Sequence, residues 1–296
     1  MTLVEHRCPN CGAGLPPPPP AGVVRCEFCA TQLSVESGRW KAKAPDAMDD
    51  PPRDPQKPRL WVGGTRYALA GRLAVGENSE VHLAWRDCRV TELVILKMAA
   101  DASKLAPEWA AIESLQSSTA DGAPHFVRLL PQPVATGIAR LGQHGADGER
   151  PVSVFRWRSG FVHTLADVIG AYPNGVPPEH SVWMWKRVLE LLGWVHRSGR
   201  VHGALTPAHL LVHARDHGVV FAGWSKSVRR NATNGAGDIA MSAQSIVRAL
   251  GASRAPEPLA RLLQAPPDDA WAARDQLDQV ARTVFGPPKY IPFVMP

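Results

Sequence analysis

No stretch of this 296-residue sequence approaches the roughly 20 consecutive apolar residues needed to cross a bilayer. The opening residues, MTLVEHRCPNC, also lack the apolar centre of a secretory signal. A soluble, cytoplasmic protein with no membrane partner is therefore expected. A dense basic block is missing too. Lysine and arginine number 33 against 27 aspartates and glutamates, a net charge of +6, and the two signs are interspersed. Such a pattern describes a solvated surface and argues against nucleic acid as a partner. Cysteine is scarce: there are five, and four of them fall in two C-x-x-C pairs near the N-terminus. Without an export signal, paired cysteines point to metal ligation before disulfides. What the chain does have is an apolar fraction of 45%, which suits a globular core. Its length suits one large domain and a small module.

The pairs are Cys8 with Cys11 and Cys26 with Cys29. Each C-x-x-C forms a tight turn that aims two thiolates at one point, and two such turns supply the four sulfurs of a closed tetrahedral site. Val23-Val24-Arg25 reads as a short strand leading into the second turn. The segment from 6 to 35 resembles a zinc ribbon, which implies structural Zn²⁺ with no open coordination position for catalysis. Pro16 to Pro20 read as a stiff extended stretch, either a ribbon tip or a docking ligand. Residues 1–36 are assigned to this module. Residues 37–60, with five prolines and several charges, read as a linker.

A different texture begins near residue 61. The run from Tyr67 to Ala84 reads as two strands joined at Gly76. Val90 to Lys97 reads as a third strand that ends in a lysine. A helix is expected from about Pro107, with Glu108, Ile112 and Leu115 on one face. Further on, Ser181 to His196 has helical period, with Val182, Trp185, Leu189, Leu192 and His196 along one stripe. It leads into Ser198-Gly-Arg-Val-His202-Gly203-Ala204-Leu205-Thr-Pro-Ala-His209-Leu-Leu-Val212. Then come Phe221-Ala222-Gly223 and, after 14 residues, Asp238-Ile239.

In this order, these motifs resemble the protein kinases over residues 61–286. The resemblance implies an α+β, two-lobed fold with a β-rich N-lobe and a helical C-lobe, preceded by the zinc ribbon. Lys97 is similar to the phosphate-binding lysine and Glu108 to its helix partner. In the kinase catalytic loop, H-R-D-L-x-x-x-N, the aspartate accepts the substrate proton; here that position is Ala204. The metal-binding asparagine is His209, and the metal-binding aspartate of D-F-G is Phe221. The segment between Gly223 and Asp238 is short and lacks a peptide-platform triplet. Ser227 to Gly237 reads as a flexible polar loop.

The nucleotide site inherited from such a family would comprise Gly76, Lys97 and Glu108, but it is altered as well. Ala74 and Ser79 replace flanking glycines. Ile95, on the same side of its strand as Lys97, narrows the adenine pocket. These changes count against ATP and favour Lys97 and Glu108 as a structural ion pair. Asp216 reads as shaping a hairpin, and His202 and His209 as structuring their loop. Trp183 lies off the apolar stripe of its helix and marks a contact surface. The tail 287–296 is apolar, proline-rich and extended; it either folds back or docks on a partner.

The resulting expectation is a catalytically inactive kinase-like protein, a pseudokinase with no catalytic residues, that regulates or scaffolds another protein. The alternative is an atypical ATP-dependent phosphotransferase or nucleotidyl transferase that recruits His209 or Asp216. Nucleic-acid binding through the zinc module is a third.

Overall fold

A computed structural model describes residues 56–88, 91–141, 148–252 and 255–295, together with short pieces before residue 43. The chain divides into two compact units, 1–49 and 50–296.

In the first unit, β1 (His6–Arg7) pairs with β2 (Gly14–Leu15). Strands β3 (Val23–Arg25), β4 (Gln32–Glu36) and β5 (Arg39–Ala42) form an antiparallel meander. The strand expected at Val23–Arg25 is present. In sequence, Cys8 and Cys11 fall between β1 and β2, and Cys26 and Cys29 between β3 and β4. All four cysteines lie outside the described residues, as does all of the polyproline stretch except Pro17.

The second unit opens with six antiparallel strands. They are β6 (Arg59–Val62), β7 (Thr65–Val75), β8 (Ser79–Arg86), β9 (Glu92–Ala99), β10 (Pro133–Leu141) and β11 (Glu149–Arg156). They hydrogen-bond in the order β10-β11-β9-β8-β7-β6, and β6 also pairs with β10, so the sheet closes into a barrel. Period-two alternation fills its interior: Leu60, Val62, Tyr67, Ala84, Val94, Leu96, Met98, Val152 and Val154 form one core. Gly63 and Gly64, both with positive φ, make the two-residue turn from β6 to β7, where left-handed residues match the strand twist. Strands β5 and the start of β6 occupy part of the 37–60 segment read as linker, and the barrel strand β6 begins before residue 61. Neither β10 nor β11 is anticipated by the motif reading.

Helix α1 (Ala106–Gln116) follows β9, with Pro107 in its first turn and Glu108, Ala111, Ile112 and Leu115 buried. The helical lobe contains α2 (Ala123–Phe126), β12 (His163–Thr164), α3 (Leu165–Ala171) and the long α4 (Pro178–Arg197). After α4 come β13 (Arg200–Val201), β14 (Leu210–His213), β15 (Gly218–Phe221) and β16 (Val228–Arg229). Helices α5 (Gly235–Leu250), α6 (Glu257–Gln264) and α7 (Ala270–Phe285) complete it. The stripe read on α4 is its core face: Trp185, Leu189, Leu192 and His196 are buried, with Val182 half-buried beside them. Trp185 Nε1 donates to Ser242 Oγ of α5 at 3.0 Å, which satisfies its one polar atom inside the core. Phe126 stacks on Trp194 with ring centres 5.6 Å apart.

Past Gly286 the tail has neither helix nor strand and folds back on the helical lobe. Phe293 is only 4% exposed and belongs to the lobe's core. Of the two alternatives open for this segment, the structure shows the first. Among the described residues, no helix is long and apolar enough to cross a membrane.

Candidate functional site

Strand β9 points Val94, Leu96 and Met98 into the barrel, so Ile95 and Lys97 face outward toward α1 and the helical lobe. Lys97 Nζ lies 2.6 Å from Glu108 Oε2, and Glu108 is buried. The other carboxylate oxygen, Oε1, accepts a hydrogen bond from the backbone N–H of Trp224 at 2.9 Å. Trp224 is itself fully buried, and its indole N–H donates to the Phe221 carbonyl at 3.1 Å. Glu108 thus joins three elements: β9 through Lys97, α1 through its own backbone, and the turn after β15 through Trp224. Ile95 packs against the helical-lobe core.

A second carboxylate organises the loop after α4. Asp238, buried in the first turn of α5, accepts from the backbone N–H of His202 at 2.6 Å and of Gly203 at 2.7 Å. Its Oδ2 also lies 3.2 Å from His196 Nε2. Asp238 lies three residues into α5, which starts at Gly235. Gly203 has φ +77, and a Cβ there would lie 2.5 Å from the Lys226 carbonyl. A side chain at this position, where the family motif has arginine, meets both backbone strain and a main-chain clash.

His202 is wholly buried. Its Nε2 donates to the Ala222 carbonyl at 3.0 Å, while Nδ1 accepts from the Ala204 N–H at 3.3 Å. Accepting at Nδ1 requires the neutral ring. Burial pushes its pKa down to about 4; Asp238 acts in the opposite sense, and His209 adds to the lowering. For a histidine whose folded pKa lies below the unfolded value of about 6.5, the unfolded chain takes up the proton first. Stability is then complete above about pH 6.5 and declines as the pH falls toward 4, by roughly 3 kcal/mol from this group. Urea unfolding of the wild type and His202→Gln between pH 7 and 4.5 should show a flatter pH dependence in the variant. Parallel curves would remove His202 from the account.

The positions expected from the sequence to match the kinase catalytic residues hold other groups. Ala204 offers a methyl group. Phe221 is buried in the helical-lobe core, edge-on to His202 at 5.6 Å. His209 Nδ1 donates to the Ala204 carbonyl at 2.7 Å, and its ring lies against Gly223, where a Cβ would come within 2.5 Å of it. A Mg²⁺ ion demands near-octahedral oxygen ligands. An apolar ring in the core and an imidazole held by a carbonyl do not provide them, so the residues present do not fit such an ion. Among the described residues, no group of three His, Cys, Asp or Glu side chains is arranged to hold a metal ion.

Gly76 lies at the β7–β8 hairpin turn, and its N–H donates to the Ser79 carbonyl at 2.8 Å. That donor is spent within the turn rather than presented to a phosphate. Asp216 sits in the β14–β15 turn, as expected, where its N–H donates to His213 Nδ1 at 3.1 Å. His209 precedes β14 and Asp216 follows it. Four strand residues place them about 13 Å apart along the chain direction, so they do not form one acid–base pair. The segment read as a flexible polar loop is instead ordered. Val228–Arg229 pairs with Arg200–Val201. Asn231 and Asn234 exchange hydrogen bonds: Asn231 N donates to Asn234 Oδ1, and Asn234 N to Asn231 Oδ1, both at 2.9 Å. The N-x-x-N spacing was the available signal, since asparagine side chains close such turns on their own backbone.

Solved kinase domains share this architecture. The BubR1 kinase domain aligns with a TM-score of 0.56 at 10% identity, covering 80% of this chain and 87% of that one. Vaccinia related kinase 3 aligns with a TM-score of 0.52 at 12% identity, covering 81% and 94% respectively. No family model matches the sequence, and no curated protein matches it. The fold is kinase-like and broadly α+β, with the closed six-stranded barrel in the place of the β-rich lobe.

Proposed function

We propose that this chain is a catalytically inactive, kinase-like binding protein that regulates or scaffolds another protein, with a structural zinc held by Cys8, Cys11, Cys26 and Cys29. One observation carries the reading. Each position where phosphoryl transfer needs an acid or a metal ligand holds a residue tied into the packing: Ala204, His209 against Gly223, and Phe221 in the core. General-base catalysis contributes about 10²–10⁴ in rate, and charge neutralisation by metal usually contributes more. Lys97 and Glu108 serve the frame, because Glu108 is committed to Lys97 and to the Trp224 N–H at once.

The test is thermal unfolding with millimolar ATP, with and without Mg²⁺ or Mn²⁺, alongside a labelled phosphotransfer assay. No metal-dependent rise in melting temperature and no transfer are expected, since a ligand of the folded state must raise apparent stability. A metal-dependent rise, with transfer abolished by Lys97→Ala, would overturn the proposal. The zinc assignment is tested separately. About one zinc per chain is expected by elemental analysis, falling to background when Cys8 and Cys26 are both changed to serine.

A further inference from the structure

The tail is held in an unusual way for a segment that contributes to a core. Its seat on the helical lobe is made largely by aromatic rings and tyrosine hydroxyls. Phe293 stacks on Tyr172 with centres 5.5 Å apart, and meets His180 at 5.0 Å and Trp183 at 5.8 Å, both edge-on. The Tyr172 hydroxyl donates to the Val294 carbonyl at 2.5 Å. Tyr290 stacks on His217, which stacks in turn on Trp183, and its hydroxyl donates to the Arg215 carbonyl at 2.7 Å. The receiving groove is thus built from the end of α3, the start of α4 and the β14–β15 turn. Trp183, expected from the sequence to mark a contact surface, is at its centre.

The groove has the features of a peptide-recognition site. Its aromatic walls take one aromatic anchor. Tyr172 reads a main-chain carbonyl. The guest is an extended segment punctuated by Pro287, Pro288 and Pro292, whose fixed φ lowers the entropy lost on docking. Gly286, at φ +82 with open space around it, joins this guest to α7. Apart from Phe293, the segment is exposed or half-buried.

We propose that this groove is a binding site for a partner protein's extended segment with the same chemistry, an aromatic residue flanked by proline and aliphatic residues, and that the chain's own tail closes it in cis. The proposal rests on the reading of the chain as a binding protein and supplies the site. A tethered tail competes at an effective concentration in the millimolar range, so a free peptide should bind the intact chain poorly.

The probe is a fluorescent peptide of residues 287–296, titrated into the full chain. Phe293→Ala frees the groove of its anchor, and Tyr290→Ala weakens the tail at a mostly exposed residue without touching the core. Both variants are expected to bind the peptide at least tenfold more tightly than the wild type. Adding Trp183→Ala should abolish that gain, and Tyr172→Phe should reduce it several-fold. The same peptide with alanine at the Phe293 position should not bind. If Phe293→Ala does not fold, Tyr290→Ala decides. No binding by a folded variant, or binding equal to wild type, would overturn the proposal. A concentration-dependent dimer of the wild type that Phe293→Ala dissolves would also overturn it, reassigning the groove to tail exchange between copies. A negative peptide result with no phosphotransfer removes this site and leaves the inactive-binder reading intact.

Discussion

Replacing Asp238 with alanine should lower the unfolding free energy by about 3 kcal/mol. Its carboxylate is buried and accepts from two main-chain donors, His202 N at 2.6 Å and Gly203 N at 2.7 Å. Alanine leaves the buried His202 N–H without a partner, at about 1–3 kcal/mol, and the Gly203 N–H, on an exposed residue, at a smaller cost. It also removes the acceptor opposite His196, 3.2 Å away. Single domains are stable by only about 5–15 kcal/mol, so this one change takes a large share. Asp238→Asn retains a carbonyl acceptor but not the charge, and about 2 kcal/mol is expected. Urea unfolding measures both. Hydrogen exchange should locate the damage, with protection lost first around 198–205. An alanine variant within 1 kcal/mol of wild type, with that loop still protected, would mean that the carboxylate does not hold it.

The second large effect concerns Glu108. Glu108→Ala leaves the Lys97 ammonium only 15% exposed and unpaired, and frees the buried Trp224 N–H. Removing one partner of a buried pair costs about 3–5 kcal/mol, much more than the pair contributes over an apolar replacement. Lys97→Met should cost about 2–3 kcal/mol for the same reason. The double change Lys97→Met with Glu108→Gln should cost less than either single change to alanine or methionine, because the glutamine carbonyl still accepts from Trp224. A double-mutant cycle built from Lys97→Met, Glu108→Gln and their combination is therefore expected to give a coupling of about 2 kcal/mol. Additive single effects below 1 kcal/mol would point away from a structural role. The pair would then be better explained by a ligand.

Local patterns carried much of this in the sequence. Lys97 and Glu108 were legible because strand alternation and helix spacing fix which side chains can meet. Ala204, His209 and Phe221 were legible as departures from an ordered set of motifs, and the loop histidines do structure their loop. Asp238 was legible as a position but not as a hub, since its partners are main-chain groups 35 and 36 residues away. The closure of the barrel was not legible. Strand β6 has four residues beside a proline-rich stretch, and its second neighbour, β10, lies some 75 residues on. Nothing local specifies that pairing. The seat of the tail was undecidable for a related reason. An apolar, proline-punctuated segment needs a groove, and the groove is assembled from three distant parts of the chain.

The closing strand has a consequence for how this protein can be recognised. An open sheet presents a row of unpaired N–H and C=O groups on which another chain can add a strand. Here β6 pairs with β7 on one side and β10 on the other, so along Arg59–Val62 the barrel offers no such row. A guest need not use such a row: the tail is seated against the helical lobe by ring contacts and by two tyrosine hydroxyls, each donating to a carbonyl.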